Sequence, residues 1–184
     1  GVEIYCTIFA AAESPLERGV LWCGSDDGLV HVSRDNATSW QNVTPKNLPE
    51  WMQINSLEIH PTRKGGVYIA GTRYKLDDMK PYLYRTLDYG QSWTKITKGI
   101  SKSHFTRVVR ADPKRQGLLY AGTEWGLYVS FNDGAQWQPM QLNLPIVSVT
   151  DIAVKEGDLI AATQGRAFWV LDNLDHIRQL AAEI

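Results

Sequence analysis

Two cysteines, Cys6 and Cys23, in 184 residues are too few for a disulfide scaffold, and no CxxC or HxxxH pairing accompanies them. We therefore expect no metal site and no cofactor, and the cysteines leave the redox compartment open. No run of about eighteen apolar residues is present, and no basic-then-apolar leader opens the chain. The sequence as it stands thus shows neither a membrane-spanning helix nor a signal peptide; a leader removed on maturation leaves no trace. Charge of one sign is missing too. Nineteen Lys and Arg against twenty Asp and Glu give a formal net charge of −1, without the basic patch that nucleic acid or an anionic membrane surface selects. Helical 3.6-residue periodicity is also lacking, which excludes tetratricopeptide and ankyrin arrays.

What is present is an ordinary globular mixture, 43% hydrophobic and 21% charged, sufficient for one substantial core. Within it an octapeptide recurs: "SRDNATSW" at 33–40, "TLDYGQSW" at 86–93 and "SFNDGAQW" at 130–137. Upstream of the three copies stand "ESPLERGVLWCGS", "IHPTRKGGVYIAGT" and "ADPKRQGLLYAGT", and a degenerate "VKEGDLIAAT" begins a fourth unit. Trp40 to Trp93 is 53 residues and Trp93 to Trp137 is 44, the excess falling in an insert at 74–82, "YKLDDMKPY". Insertions in repeats map to loops, so this one is expected to project beyond its neighbours.

Each unit consists of short runs rich in Val, Ile, Tyr, Trp and Thr, broken by Gly, Pro, Asp and Asn, the pattern of strands. The second unit reads as strands at 54–59, 67–71, 82–87 and 92–96. Four strands in about forty-four residues is the size of a propeller blade, so the fold class is all-β, a β-propeller of four-stranded antiparallel blades. A tight hairpin explains the octapeptide. Gly90 and Gly134 supply positive φ, while Asp35, Asp88 and Asn132 are short acceptors for nearby backbone amides. Ser33, Thr86 and Ser130 add local hydrogen bonds, and Trp40, Trp93 and Trp137 are expected to anchor the outer strand against its own blade. None of this creates a nucleophile or a base.

The pattern Ser/Thr-x-Asp-x-Gly-x-x-Trp resembles the Asp box, or BNR repeat, of sialidases, xyloglucanase-type glycoside hydrolases, sortilin-like receptors and a photosystem II assembly factor. "TLDYGQSW" matches in full; Asn132 and Ala37 depart from it, and slightly different turn geometries are expected there. The ending "AATQGRAFWVLDNLDHIRQL" resembles the close of the propeller in large secreted bacterial BNR-repeat, sortilin-like or glycosyl-hydrolase-like proteins. The resemblance implies the C-terminal part of such a protein and a secreted or periplasmic location. It is specific for fold and says little of activity, because these families share the turn and not the chemistry.

Three complete units are followed by a fourth with strands at 149–154, 159–162 and 167–171. Residues 173–184 then read as a helical tail, capped at Asn173 or Asp175, behind blades spanning 1–172. Either residues 2–6 close a four-bladed ring beside 167–171, or the chain is part of a larger propeller and self-associates or requires missing blades.

The octapeptides lie at one rim, so the loops joining second and third strands, with the connections between blades, lie at the other. Function is expected there. That selects Asp26, Asp27, Trp51, Arg73, Tyr74, Asp77, Asp78, Glu124, Trp125 and Arg166 as ligand contacts, with His104 and Arg107 nearby. The acids can equally be solvated turn residues and the aromatics blade-to-blade packing. Arg73, Arg107 and Arg166 could gather round a carboxylate, but no sialidase-like arginine motif or Tyr–Glu pair accompanies them. Two functions remain open. One is a non-catalytic module binding a protein or a carbohydrate. The other is part of a glycoside hydrolase with paired carboxylates, for example Asp77 and Glu124.

Overall fold

The computed structural model describes residues 6–183 and builds them into four antiparallel sheets. Blade 1 is β1 (Ile8–Glu13), β2 (Leu21–Ser25), β3 (Val30–Ser33) and β4 (Gln41–Asn42). Blade 2 is β5 (Gln53–Ile59), β6 (Val67–Arg73), β7 (Asp78–Thr86) and β8 (Thr94–Lys95). Blade 3 is β9 (Thr106–Ala111), β10 (Leu119–Thr123), β11 (Gly126–Ser130) and β12 (Gln138–Pro139). Blade 4 has three strands, β13 (Val149–Lys155), β14 (Asp158–Thr163) and β15 (Phe168–Leu171), and α1 (Asp175–Glu183) follows. Each sheet is a simple meander in chain order, and the first strands β1, β5, β9 and β13 lie side by side. The expected closing strand at 2–6 falls almost wholly outside the described residues.

Burial follows from stacking. In β6, β10 and β11 nearly every residue is buried, because both sheet faces meet a neighbouring blade. In β1 and β2 of blade 1, and in β14 and β15 of blade 4, burial alternates, because one face is covered and the other open. Three apolar clusters fill the three blade junctions. Trp22, Val30 and Val32 meet Ile69 and Tyr84; Tyr68 and Leu83 meet Val109 and Tyr128; Tyr120 and Val129 meet Ile152 and Leu159.

The octapeptide turns share one wiring. Ser33 Oγ donates to Asp35 Oδ1 at 2.9 Å, Thr86 Oγ1 to Asp88 Oδ1 at 2.7 Å, and Ser130 Oγ to Asn132 Oδ1 at 3.1 Å. The same hydroxyls accept from Ala37 N, Gly90 N and Gly134 N at 2.9, 2.9 and 3.0 Å. The acceptor then takes the amide of Ser39, Ser92 or Gln136. Ala37 at φ 66° holds the left-handed conformation of Gly90 and Gly134, both at 81°. The departures from the pattern leave the turn unchanged, because Asn132 offers the same acceptor oxygen and Ala37 tolerates the strain.

Burial pushes the Asp88 carboxyl up, but bonds from Ser92 and Thr86 outweigh it and hold it below its ordinary range. A depressed folded pKa stabilises above the unfolded value, and that contribution is lost as pH falls through the folded one. Asp88→Ala is therefore expected to cost about 1 kcal/mol at neutral pH, and Asp88→Asn, which copies Asn132, clearly less. Urea unfolding checks both, and the gap between wild type and Asp88→Ala should narrow on acidification.

Two elements differ from expectation. The outer strands β4, β8 and β12 are two residues long, and in β12 Pro139 has no N–H to extend the ladder. The indoles reach past their own blade: Trp93 Nε1 donates to Val43 O of blade 1 at 2.7 Å, and Trp137 Nε1 to Ile96 O of blade 2 at 2.6 Å. They staple consecutive blades, which an outer strand this short could not have anchored within one sheet.

Candidate functional site

Antiparallel connectivity places the β6–β7, β10–β11 and β14–β15 connections on the rim opposite the octapeptides. Blades 2, 3 and 4 form an open cleft there of about 710 Å³, lined by Tyr74, Met79, Ser103, Phe105, Arg107, Glu124, Trp125 and Gln164. The β6–β7 hairpin supplies its first wall. The insert at 74–82 is a short 3-10 turn, Tyr74–Leu76, running into a lengthened β7, with Arg73 paired to Asp78 across the hairpin. It extends the sheet instead of forming a loose loop, since Tyr82 is buried and its hydroxyl donates to Asp78 Oδ2 at 2.7 Å.

Arg107 forms the middle of the cleft. Strand β9 has a register shift between the positions paired with Gly122 and Thr123, so Arg107 sits at a bulge. Bulges re-aim side chains. The guanidinium lies over Tyr74 and Phe105, 5.4 and 5.1 Å from their centroids, and those two rings stack at 5.2 Å. Its Nε and Nη2 both donate to Glu124 Oε2, at 2.9 and 2.7 Å. Glu124 Oε1 and Arg107 Nη1 stay outside that pair.

Trp125 forms the far wall. The residue is 52% exposed, and its ring stacks on His104 with centroids 6.1 Å apart. His104 Nδ1 pairs with the Tyr128 hydroxyl at 2.9 Å, and burial lowers the pKa of the imidazole. The Trp125 platform therefore rests on a ring whose charged form burial disfavours. The lining carries one cation and one anion, already paired, so the cleft is polar without net charge.

Of the expected contacts, Tyr74, Glu124 and Trp125 line this cleft. Arg73 and Asp78 face each other at 3.1 Å at the base of the hairpin. Burial pushes Asp78 up, but bonds from Tyr82 and the Lys80 amide hold it below the ordinary carboxylate range. Asp77 occupies the left-handed position ending the 3-10 turn, and Arg166 is exposed on the β14–β15 loop. Asp26, Asp27 and Trp51 belong to blade 1 and its connection to blade 2: Asp26 Oδ1 accepts from Thr7 N at 3.0 Å, and Asp27 is bonded by Ser25. They do not line the cleft.

Sequence reasoning missed Phe105, Met79 and Gln164 as individual residues, and missed Arg110 altogether. Arg110 braces the inner strands, donating to Ser56 Oγ, Ile152 O and Asp151 Oδ1 at 2.7, 3.0 and 2.7 Å. A second cavity of about 380 Å³ lies beside it, next to Glu58, whose carboxyl burial pushes up. The signal that could have found Arg110 is a second arginine in the short inner strand TRVVRA.

No family model matches the chain, and no curated protein matches it in sequence. Solved structures do. YCF48 bound to D1 peptide superposes with a TM-score of 0.67 at 18% identity, over 90% of this chain and 51% of the other. The GH74 xyloglucanase from Xanthomonas campestris gives 0.64 at 17% identity, over 85% and 26%. The extracellular domain of a one component system from B. thetaiotaomicron gives 0.65 at 17% identity, over 89% and 21%. The chain thus spans about half the length of the first, about a quarter of the second and about a fifth of the third. At such identities the likeness shows the fold alone, and that fold is the β-propeller.

Proposed function

We propose that the chain is a non-catalytic Asp-box propeller module, part of a larger BNR-repeat, sortilin-like or glycosyl-hydrolase-like protein, that binds an uncharged glycan in the cleft around Trp125. The three identically wired octapeptide turns support the Asp-box reading. One observation carries the ligand reading: a half-exposed indole stands beside an Arg–Glu pair whose charges cancel. Aromatic faces stack on the C–H side of sugar rings, and planar paired groups offer donors and acceptors to adjacent hydroxyls. Glu124 already neutralises Arg107, so a carboxylate ligand would compete with it for the guanidinium. A secreted or periplasmic location accords with this reading.

The hydrolase reading draws on the GH74 likeness. Against it, retaining and inverting mechanisms need a protonated carboxyl beside an ionised one. Glu124 is committed to Arg107 through both Nε and Nη2, and Asp77, the carboxylate expected to pair with it, ends the 3-10 turn and does not line the cleft.

Calorimetry with xyloglucan oligosaccharides, and a peptide array in parallel, tests the proposal. Glycan binding is expected, with Trp125→Ala weakening it about tenfold or more and the melting temperature unchanged. Peptide binding lost in the same variant would make the ligand a protein. Reducing ends released by the wild type and not by Glu124→Gln would make the chain an enzyme.

A further inference from the structure

The aromatic platform of the cleft has a second copy in the repeat. Thr72 and Thr123 close the equivalent stretches "YIAGT" and "LYAGT" and pair with Gln53 and Thr106 of the first strands. Two residues after these threonines stand Tyr74 and Trp125. Two residues before Gln53 and Thr106 stand Trp51 and His104. Blade 3 stacks its pair, His104 under Trp125. Blade 2 carries aromatic residues at the same two positions, but Tyr74 turns instead to Phe105.

Packing explains why Trp51 stands out from the surface. Met52 is wholly buried in the junction of blades 1 and 2, and two glycines make room for it: a Cβ at Gly28 would lie 3.0 Å from Met52 N, and one at Gly71 would lie 2.7 Å from Met52 Cγ. With Met52 pinned inward, the residue before it is turned outward. Trp51 has φ 59° and is 52% exposed, the same exposure as Trp125. A left-handed backbone is costly for so bulky a residue, and strain of this kind gathers at ligand clamps.

Polar side chains lead from this indole to the cleft. Gln53 Nε2 donates to Asn55 Oδ1 at 2.7 Å, and Gln53 Oε1 accepts from Lys75 Nζ at 3.1 Å. Lys75 follows Tyr74, whose ring carries Arg107, and Arg107 holds Glu124 beside Trp125. The rim thus presents a ring, a run of donors and acceptors, and a second ring. A surface that repeats in this way fits a ligand that repeats.

We propose that Trp51 is a second glycan-stacking position, and that the rim of blades 1 to 3 is one track for a linear polysaccharide bound along its length. The proposal rests on the glycan reading of the cleft. Sugar rings stack on both indoles, and the side chains between them bond the intervening hydroxyls. A chain long enough to reach both platforms gains from each, whereas a short one fills the cleft alone.

Calorimetry with xyloglucan fragments, from a single repeat unit upward, tests this. Wild-type affinity is expected to rise with length beyond the fragment that fills the cleft. Trp51→Ala should bind the shortest fragment as wild type does, which also reports an intact fold, and should bind the longest about tenfold more weakly. Trp51→Phe, which retains a ring, should recover most of that loss, and Trp125→Ala should weaken fragments of every length. A Trp51→Ala variant that gains with length as wild type does, or one that loses the shortest fragment equally, would overturn the track while leaving the cleft reading intact. A wild type that binds no fragment would overturn both.

Discussion

Trp137→Ala is expected to destabilise the fold by about 3–5 kcal/mol, seen as a large fall in the urea midpoint, while Trp40→Ala should cost less than about 1 kcal/mol. The two residues occupy the same place in the repeat. Trp137 is 1% exposed, wedged among residues of blades 2 and 3 such as Ile96, Leu83 and Tyr128. Truncation would leave a cavity at the junction and strand the Ile96 carbonyl that its indole N–H satisfies. Trp137→Phe separates the two effects, since it retains most of the apolar volume and loses the bond, for about 1–2 kcal/mol. Equal losses at Trp137 and Trp40, measured at a concentration where the chain is monomeric, would mean the indole acts within its own blade and the staple is misassigned.

Breaking the pair between Arg178 and Asp112 should have an effect of similar size. Asp112 is fully buried at the β9–β10 turn, where Oδ1 accepts the amides of Lys114 and Arg115 at 2.8 and 2.9 Å. Arg178 on α1 reaches it with Nε at 3.1 Å and Nη2 at 3.0 Å from Oδ2. Its neighbour Leu174 is wholly buried and donates its amide to Gly157 O at 2.7 Å. Arg178→Met leaves a buried carboxylate without its countercharge, at about 3–5 kcal/mol. Asp112→Asn combined with Arg178→Met should lose less than Arg178→Met alone, because Asn still accepts the two turn amides and no buried charge is left over. A double-mutant cycle by urea unfolding reads this coupling. Near-zero loss in Arg178→Met would mean that α1 is not docked on blade 3.

The strands and their grouping into blades were legible because the hairpin demands fixed residue types at fixed offsets. A left-handed position, an acceptor two residues after a hydroxyl, and a terminal Trp can be recognised without knowing what surrounds them. The fourth unit was equally legible as three strands. The partner of each Trp was not, because Val43 O and Ile96 O lie fifty and forty-one residues away. The cleft was legible only in outline. Counting rim loops led to Tyr74, Glu124 and Trp125, but no local pattern says that Phe105 stacks on Tyr74 or that a bulge turns Arg107 onto Glu124. Asp26, Asp27 and Trp51 were grouped with them by rim alone, and the stacking of blades sets them on another part of that rim.

Hydrogen exchange with and without saturating xyloglucan oligosaccharide tests most directly that the ligand face is the rim opposite the octapeptides. The expected result is protection at Ser103 to Arg107, at Glu124 and Trp125, and at Gln164. Protection confined to the turns around Asp35, Asp88 and Asn132, with none in the cleft, would contradict it.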